Sequence, residues 1–184
     1  MVSEEVLAMQ SRIINVIVFQ AGWFACVWGG AHDLTLLAVA AASMVVGLSL
    51  WRSNADRLSD LKLVLVVAGI GWCVDSVHLY FGVFALIGVP RFPYLCPLWL
   101  VALWAAFGTT LRGSLNWLAG RYALSALLGA VAGPMSYLGG AQMGAVIPHP
   151  NRVFTVVALA AGWAIVMPLL VWLAQGRAKS GGAT

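Results

Sequence analysis

The sequence predicts an all-α membrane protein, a six-transmembrane-helix bundle with its N- and C-termini in the cytoplasm. Three observations predict this class: an apolar composition, six apolar runs, and an uneven distribution of basic residues. Of 184 residues, 62% are hydrophobic and 9% are charged, and the mean hydropathy is +0.94. Because a soluble domain carries about a quarter charged residues, lipid must cover most of this surface. The few basic residues form no basic face, so nucleic acid is excluded as a partner.

The six apolar runs each approach the ~20 residues that cross the hydrocarbon core. They lack the period-two alternation of barrel strands, so helices are the spanning structure that remains. The predicted spans are residues 13–30, 34–51, 61–85, 97–118, 122–140 and 153–174. The domain prediction is a cytoplasmic leader over 1–12, a single transmembrane domain over 13–174, and a disordered cytoplasmic tail over 175–184.

The ten basic residues set the predicted orientation. With the N-terminus in the cytoplasm, eight of them fall in inner segments, and Arg91 and Arg152 fall in outer ones. Cytoplasmic segments carry the excess of Lys and Arg, which favours both termini inside. Arg112, near the inner end of the fourth run, is expected to extend its guanidinium group to lipid headgroups.

Small residues and prolines predict how the helices pack. Lipid supplies no hydrophobic drive between helices, so close approach through small residues must replace it. Gly129 and Gly133 give the fifth span such a surface, for packing within the chain or for a homodimer. Pro134 and Pro168 each free a backbone carbonyl, so each kink should face protein or water.

Asp75 is the most unusual residue of the predicted spans. At 1.5 Å per residue from Leu61 it lies about 21 Å into a core about 30 Å thick. A carboxylate at the centre of a span costs about 3 kcal/mol on insertion scales, so it should face the bundle interior. Gly71, His78 and Gly82 are predicted to share its face of the helix.

The same depth scale predicts a polar pocket in the outer leaflet, between the third and fifth spans. Tyr137 and Ser136 of the fifth span come level with Asp75 and His78. Gln142 lies at the outer surface. The candidate pocket is therefore Asp75, His78, Tyr137, Ser136 and Gln142.

Three chemical interpretations of this pocket stay open. Asp75 and His78 could relay protons or bind a cation. The same acid could instead join the third helix to the fifth through hydrogen bonds. Metal binding by Asp75 with His32, His78 and His149 is disfavoured, because these residues have no recognised ligand spacing. No metal site and no cofactor is predicted, since no phosphate loop, dinucleotide or zinc motif is present.

Several motifs resemble those of a known family. They include Asn15 in the first span, Asp75 in the third, the block PLWLVALWAAFGTTLRGSLNWL, and GPMSYLGGAQMGA in the fifth. The sequence resembles a family of small bacterial inner-membrane proteins described only as a domain of unknown function. The resemblance implies a multi-pass protein of the bacterial inner membrane. Members are often encoded near cyclopropane-fatty-acid-synthase-like methyltransferases, which implies a role beside membrane-lipid modification.

The resemblance supplies no catalytic residue. His78 and His149 are not part of the family pattern, whereas Asp75 and Tyr137 remain candidates. The leading hypothesis is an accessory protein that binds membrane lipids or a membrane protein partner, and not an enzyme. The alternatives are a small dimeric transporter and an intramembrane lipid-modifying enzyme that uses Asp75 and Tyr137.

Overall fold

The computed structural model describes residues 2–53, 56–87 and 94–177, which form six α-helices, two short strands and two 3-10 turns. Five helices are long and apolar enough to cross a membrane. The remaining helix, α4, is shorter, with 14 residues. The mostly helical architecture predicted from the sequence is confirmed. The elements are α1 (Val2–Ala31), α2 (Thr35–Arg52), α3 (Arg57–Tyr80), β1 (Phe84–Leu86), α4 (Leu98–Leu111), α5 (Tyr122–Gln142), β2 (Val146–Pro148) and α6 (Arg152–Ala174).

Both ends of the chain differ in detail from the predicted domains. The helix α1 begins at Val2, so the predicted leader continues the first helix. After α6, residues Gln175–Arg177 form a 3-10 turn within the predicted tail. The rest of that tail, with Lys179, and Arg91 of the predicted outer loop lie outside the described residues.

The helix in the region of the fourth predicted span, 97–118, is shorter than predicted, because α4 ends at Leu111. Its 14 residues extend about 21 Å at 1.5 Å per residue, less than the hydrocarbon thickness of about 30 Å. Beyond it, the Asn15 side-chain oxygen accepts a hydrogen bond from the Ser114 N–H at 3.0 Å. A Cβ at Gly113 would lie 2.6 Å from this oxygen. A side chain of α1 thus satisfies backbone that leaves the helix, as non-helical backbone in a membrane requires.

The third span also ends earlier than predicted. The helix α3 stops at Tyr80, and Gly82 follows in the left-handed region, with φ of 64°. The Val83 N–H bonds back to the His78 carbonyl at 2.9 Å, which satisfies a carbonyl at the helix end. Gly82 therefore lies in a turn, and not on the helix face with Asp75. The prediction of a helix through Ala85 was wrong in its last turn.

Instead of continuing the helix, the chain after Gly82 forms a small sheet. β1 pairs antiparallel with β2, with Ala85 opposite Ile147. β1 follows α3 and β2 precedes α6, so the ladder joins two segments that are far apart in sequence but lie at the same end of the bundle.

The helices pack mainly in the pairs α5–α6, α3–α4, α1–α2 and α2–α4. Glycines permit the closest of these approaches. A Cβ at Gly129 would lie 2.5 Å from the Trp163 carbonyl oxygen of α6, and one at Gly133 would overlap the Trp163 ring. The Gly129 and Gly133 surface therefore packs within the chain. α3 and α5 are not among the closely packed pairs, so only side chains connect them at the candidate pocket.

Candidate functional site

Asp75 is fully buried and accepts a hydrogen bond on each carboxylate oxygen. The Tyr137 hydroxyl of α5 donates to Oδ1, and the Trp104 indole N–H of α4 donates to Oδ2 at 2.7 Å. A carboxylate in an apolar interior is stable only when donors replace its water. One acid of α3 thereby joins three helices.

His78 lies one turn further along α3 and completes the Asp75 cluster, which we define as Asp75, His78, Trp104 and Tyr137. Its Nδ1 is 3.7 Å from Asp75 Oδ1, beyond hydrogen-bond distance. Among the described residues, this buried nitrogen has no hydrogen-bond partner. On the other side of the ring, Nε2 would lie 3.0 Å from a Cβ placed at Gly162 of α6. The imidazole is therefore held by close packing.

Stacked indoles hold the Trp104 donor in place. The Trp104 and Trp163 rings are nearly parallel, with centroids 4.7 Å apart and planes at 9°. A Cβ at Gly71 of α3 would overlap the Trp104 ring. The glycine therefore makes the space that lets the indole reach Asp75.

The small sheet covers the Asp75 cluster at one end. Phe84 of β1 is buried against Tyr137, with ring centroids 5.0 Å apart. The Thr155 hydroxyl of α6 donates to the Val83 carbonyl at 2.8 Å and accepts from the His149 N–H at 3.0 Å. These bonds fasten the sheet to α6.

Cys96, just before α4, is buried near the cluster. Its backbone N–H donates to the Ser76 hydroxyl of α3 at 3.0 Å. Burial raises the pKa of the Cys96 thiol, and the negative charge of Asp75 raises it further. The thiol therefore stays protonated at neutral pH and is a poor nucleophile.

An apolar groove of about 750 Å³ lies beside the cluster, between α1, α4, α5 and α6. Trp104 and Tyr137 line it, whereas Asp75 is not part of its lining. Its polar side chains are few, among them Gln20 and Ser136. The apolar lining comes mainly from Phe19, Trp23, Phe24, Val27, Leu103, Phe107, Leu115, Leu128, Met135, Met143 and Met167.

The structure thus brings together Asp75, His78 and Tyr137 of the candidate pocket. Ser136 is half-buried and lines the groove, and Gln142 is exposed at the last turn of α5. Pro134 is buried within α5.

The three histidines have different neighbours and do not bond to a common group. The His32 ring is bonded to the Trp28 carbonyl, and His149 Nδ1 accepts from the Asn151 N–H. No group of three or more His, Cys, Asp or Glu side chains suited to a metal ion occurs among the described residues.

A second polar network lies at the start of α3. Arg112 Nη1 forms an ion pair with Asp60 Oδ1 at 2.7 Å and donates to the Ser59 hydroxyl at 3.0 Å. Its Nε donates to the Ala174 carbonyl of α6 at 3.0 Å. Arg112 was expected to extend its guanidinium group to lipid headgroups; in the structure its Nε and Nη1 bind protein acceptors instead.

Trp104 and Trp163 were not identified as site residues from the sequence. Both tryptophans lie within apolar runs and away from the membrane boundaries where this residue is common. A buried indole N–H usually finds an acceptor. The signal was therefore available: a tryptophan deep in one span and an unpaired carboxylate deep in another.

A family model described as "Protein of unknown function (DUF2878)" matches residues 12–169. Comparisons with curated proteins and with solved structures gave no match.

Proposed function

The chain belongs to the DUF2878 family of proteins of unknown function, and we propose that it is an accessory membrane protein that binds a lipid acyl chain in the apolar groove. The groove beside the Asp75 cluster is the observation that carries this proposal. We further propose a place in the bacterial inner membrane, in a system that modifies membrane lipids.

The size and lining of the groove support an acyl ligand. Small-molecule sites occupy roughly 300–1,000 Å³ and combine an apolar lining with a few polar groups. The groove holds about 750 Å³. Gln20 and Ser136 belong to the lining and offer hydrogen bonds to an ester or hydroxyl group on a ligand. Exposed side chains such as Phe24 and Met135 form part of the lining, so a lipid can enter from the bilayer.

The bonding of Asp75 favours an accessory role over catalysis. A general base needs a lone pair directed at the substrate. Both oxygens of Asp75 instead accept from protein donors, and its side chain does not line the groove. Asp75 thus positions Trp104 and Tyr137 as parts of the wall.

The transporter alternative requires a polar route between the two ends of the bundle. Asp75 and Asp60 mark the polar regions near the two ends of α3. The buried face of α3 between them carries only apolar residues: Leu63, Val64, Val67, Ala68 and Gly71. This face supports a closed bundle.

The test of the proposal uses a phospholipid with a photoactivatable acyl chain, incorporated into membranes that contain the protein. We expect ultraviolet light to label residues of the groove, as located by mass spectrometry of the peptides. Ala132→Trp, which fills the groove, should reduce this labelling to background. Leu127→Trp is the matched control, because Leu127 is an exposed residue of α5 outside the groove. Equal labelling of both variants would reject the groove as the site.

An intramembrane enzyme is the second candidate, because the Tyr137 hydroxyl is both in the groove wall and bonded to a carboxylate. Lipid profiles of a deletion strain, complemented with wild-type protein or with Tyr137→Phe, separate the two roles. The accessory proposal expects Tyr137→Phe to restore the profile in proportion to the amount of folded protein. A folded variant that restores nothing would favour catalysis.

The six-span count and the cytoplasmic termini are also proposals. Single cysteines at Arg57 and Pro150 test them in a cysteine-free background. A membrane-impermeant maleimide should label intact spheroplasts only at position 150. Labelling at position 57 would show that the orientation is the opposite of the one proposed.

A further inference from the structure

A second cavity, of about 350 Å³, lies at the other end of the bundle from the small sheet. It is formed by residues 11–18 of α1, the end of α2, the start of α3, and the end of α4 with the segment that follows it. We call it the arginine-lined cavity. The polar side chains of its lining are Ser11, Arg12, Asn15, Ser49, Arg52, Ser53, Asp60, Thr109, Arg112 and Asn116.

The charges of this lining do not balance. Three arginines face one acid, and that acid, Asp60, is paired with Arg112. Arg12 and Arg52 form no ion pair with any residue that the structure describes. Two guanidinium groups, which prefer phosphate and carboxylate partners, thus have no acidic partner within the part of the chain that the structure describes.

Arg112 is the fixed member of the three. Its Nε and Nη1 are held by the Ala174 carbonyl, Ser59 and Asp60. Those bonds do not use Nη2. Asn15, whose oxygen holds the Ser114 N–H, also lines the cavity. Protein bonds therefore fix the inner part of the lining before any ligand arrives, which lowers the entropic cost of binding.

The cavity changes from polar to apolar with depth. Along α1, Val18 lies six residues beyond Arg12, which is about 9 Å further into the membrane. Along α2, Val45 lies seven residues before Arg52, at about 10 Å. Both valines belong to the lining. A ligand that fits this gradient has an anionic group at the mouth and an apolar part below it.

We propose that the arginine-lined cavity binds the phosphate-bearing headgroup of an anionic glycerophospholipid. Its volume suits a phosphate with the adjoining glycerol, while the acyl chains continue into the bilayer. With the orientation proposed above, the cavity opens to the cytoplasmic leaflet, where anionic lipids attract Lys and Arg. The site shares no lining residue with the apolar groove, so headgroup binding does not depend on acyl-chain binding there, although the choice of leaflet rests on the proposed orientation.

The test is native mass spectrometry of the detergent-purified full chain with phosphatidylglycerol or with zwitterionic phosphatidylcholine. We expect Arg12→Gln/Arg52→Gln to weaken phosphatidylglycerol binding by about thirtyfold, because each of the two basic residues contributes about 1 kcal/mol near an anionic lipid and about 1.4 kcal/mol corresponds to tenfold. Phosphatidylcholine binding should change less than twofold. The matched control is Arg57→Gln/Arg121→Gln, which removes the same charge outside the lining. It should leave both affinities within about twofold of the wild type.

Three results would overturn the proposal. Equal weakening by the two double variants would mean that general surface charge attracts the lipid. Unchanged binding in Arg12→Gln/Arg52→Gln would exclude these arginines. Displacement of phosphatidylglycerol by an equal concentration of inorganic phosphate or glycerol 3-phosphate would assign the site to a free anion. The double variant Arg12→Lys/Arg52→Lys keeps the charge and should retain most of the binding, which separates loss of the site from loss of the fold.

Discussion

Two aspartates of α3, fifteen residues apart, are stabilised in different ways. Asp75 is 0% exposed, and the donors that bond it are the uncharged Trp104 and Tyr137. Asp60 retains 18% side-chain exposure and pairs with the guanidinium group of Arg112. The first site is closed by aromatic rings, and the second borders a cavity that opens outward.

The difference reflects the surroundings of each acid. Near the membrane boundary, water and headgroups still solvate charge, so Arg112 can pair with Asp60 at small cost in desolvation. Deep in the bundle, burying a guanidinium group as well as a carboxylate would add a second desolvation penalty. Two neutral donors satisfy the hydrogen-bonding needs of Asp75 without that penalty, but they stay within bonding distance only if their aromatic rings are held in place. The stabilisation of the Asp75 carboxylate therefore depends on packing, whereas that of the Asp60 carboxylate depends on its ion pair.

The largest predicted effect tests the dependence on packing. Gly71→Ala places a methyl group against the Trp104 ring, which must shift and weaken its bond to Asp75. We expect a loss of about 2–4 kcal/mol in the free energy of unfolding, measured by titration with dodecyl sulfate in mixed micelles. Gly69→Ala is the control, since a Cβ there has open space. Similar stability of the two variants would show that the indole is not held by this contact.

Removing one neutral donor gives an intermediate effect. Tyr137→Phe leaves Asp75 Oδ1 without its bond to α5, and we expect a loss of about 1–3 kcal/mol in the same measurement. The control is Tyr122→Phe, which removes an exposed hydroxyl bonded to Gln175 at 3.2 Å. That change should cost less than about 0.5 kcal/mol. A harmless Tyr137→Phe would contradict the claim that Asp75 needs both donors.

The smallest effect concerns the ion pair. Asp60→Asn should lower the free energy of unfolding by about 1 kcal/mol, and the loss should shrink as salt is raised from 0.05 to about 0.5 M. The loss in Tyr137→Phe should not depend on salt, because its partners are shielded from ions. If both losses of unfolding free energy respond equally to salt, the claim that an ion pair stabilises Asp60 while buried neutral donors stabilise Asp75 is wrong.

The sequence predicted much of this arrangement, and the reason is geometric. A constant rise per residue places Asp75, His78 and Tyr137 at one depth, so hydropathy and helix length suffice to bring them level. Whether α3 touches α5 is a separate question that depends on all six helices. Trp104 supplies the second bond to Asp75 because Gly71 leaves space for its ring, and that relation joins residues 33 apart in sequence.

The parts that sequence reasoning missed also depend on contacts between distant segments. The chain leaves the helix after α4 where the acceptor for the Ser114 N–H is Asn15, almost a hundred residues away. The end of α3 was placed too late because the apolar residues of β1 resemble the end of a span. Their pairing with β2 is visible only in three dimensions. Apolar composition thus identifies membrane segments, but not whether each continues as a helix.

The bond from Ser114 to Asn15 bears on the order in which the protein is made. The ribosome completes the first helix long before it reaches the fourth, and chains fold from the N-terminus as they emerge. Ser114 thus enters a bilayer that already contains the amide oxygen it needs. A chain without its first helix would insert the fourth segment with that backbone N–H unsatisfied. The first helix therefore supplies a hydrogen-bond acceptor that a later segment needs.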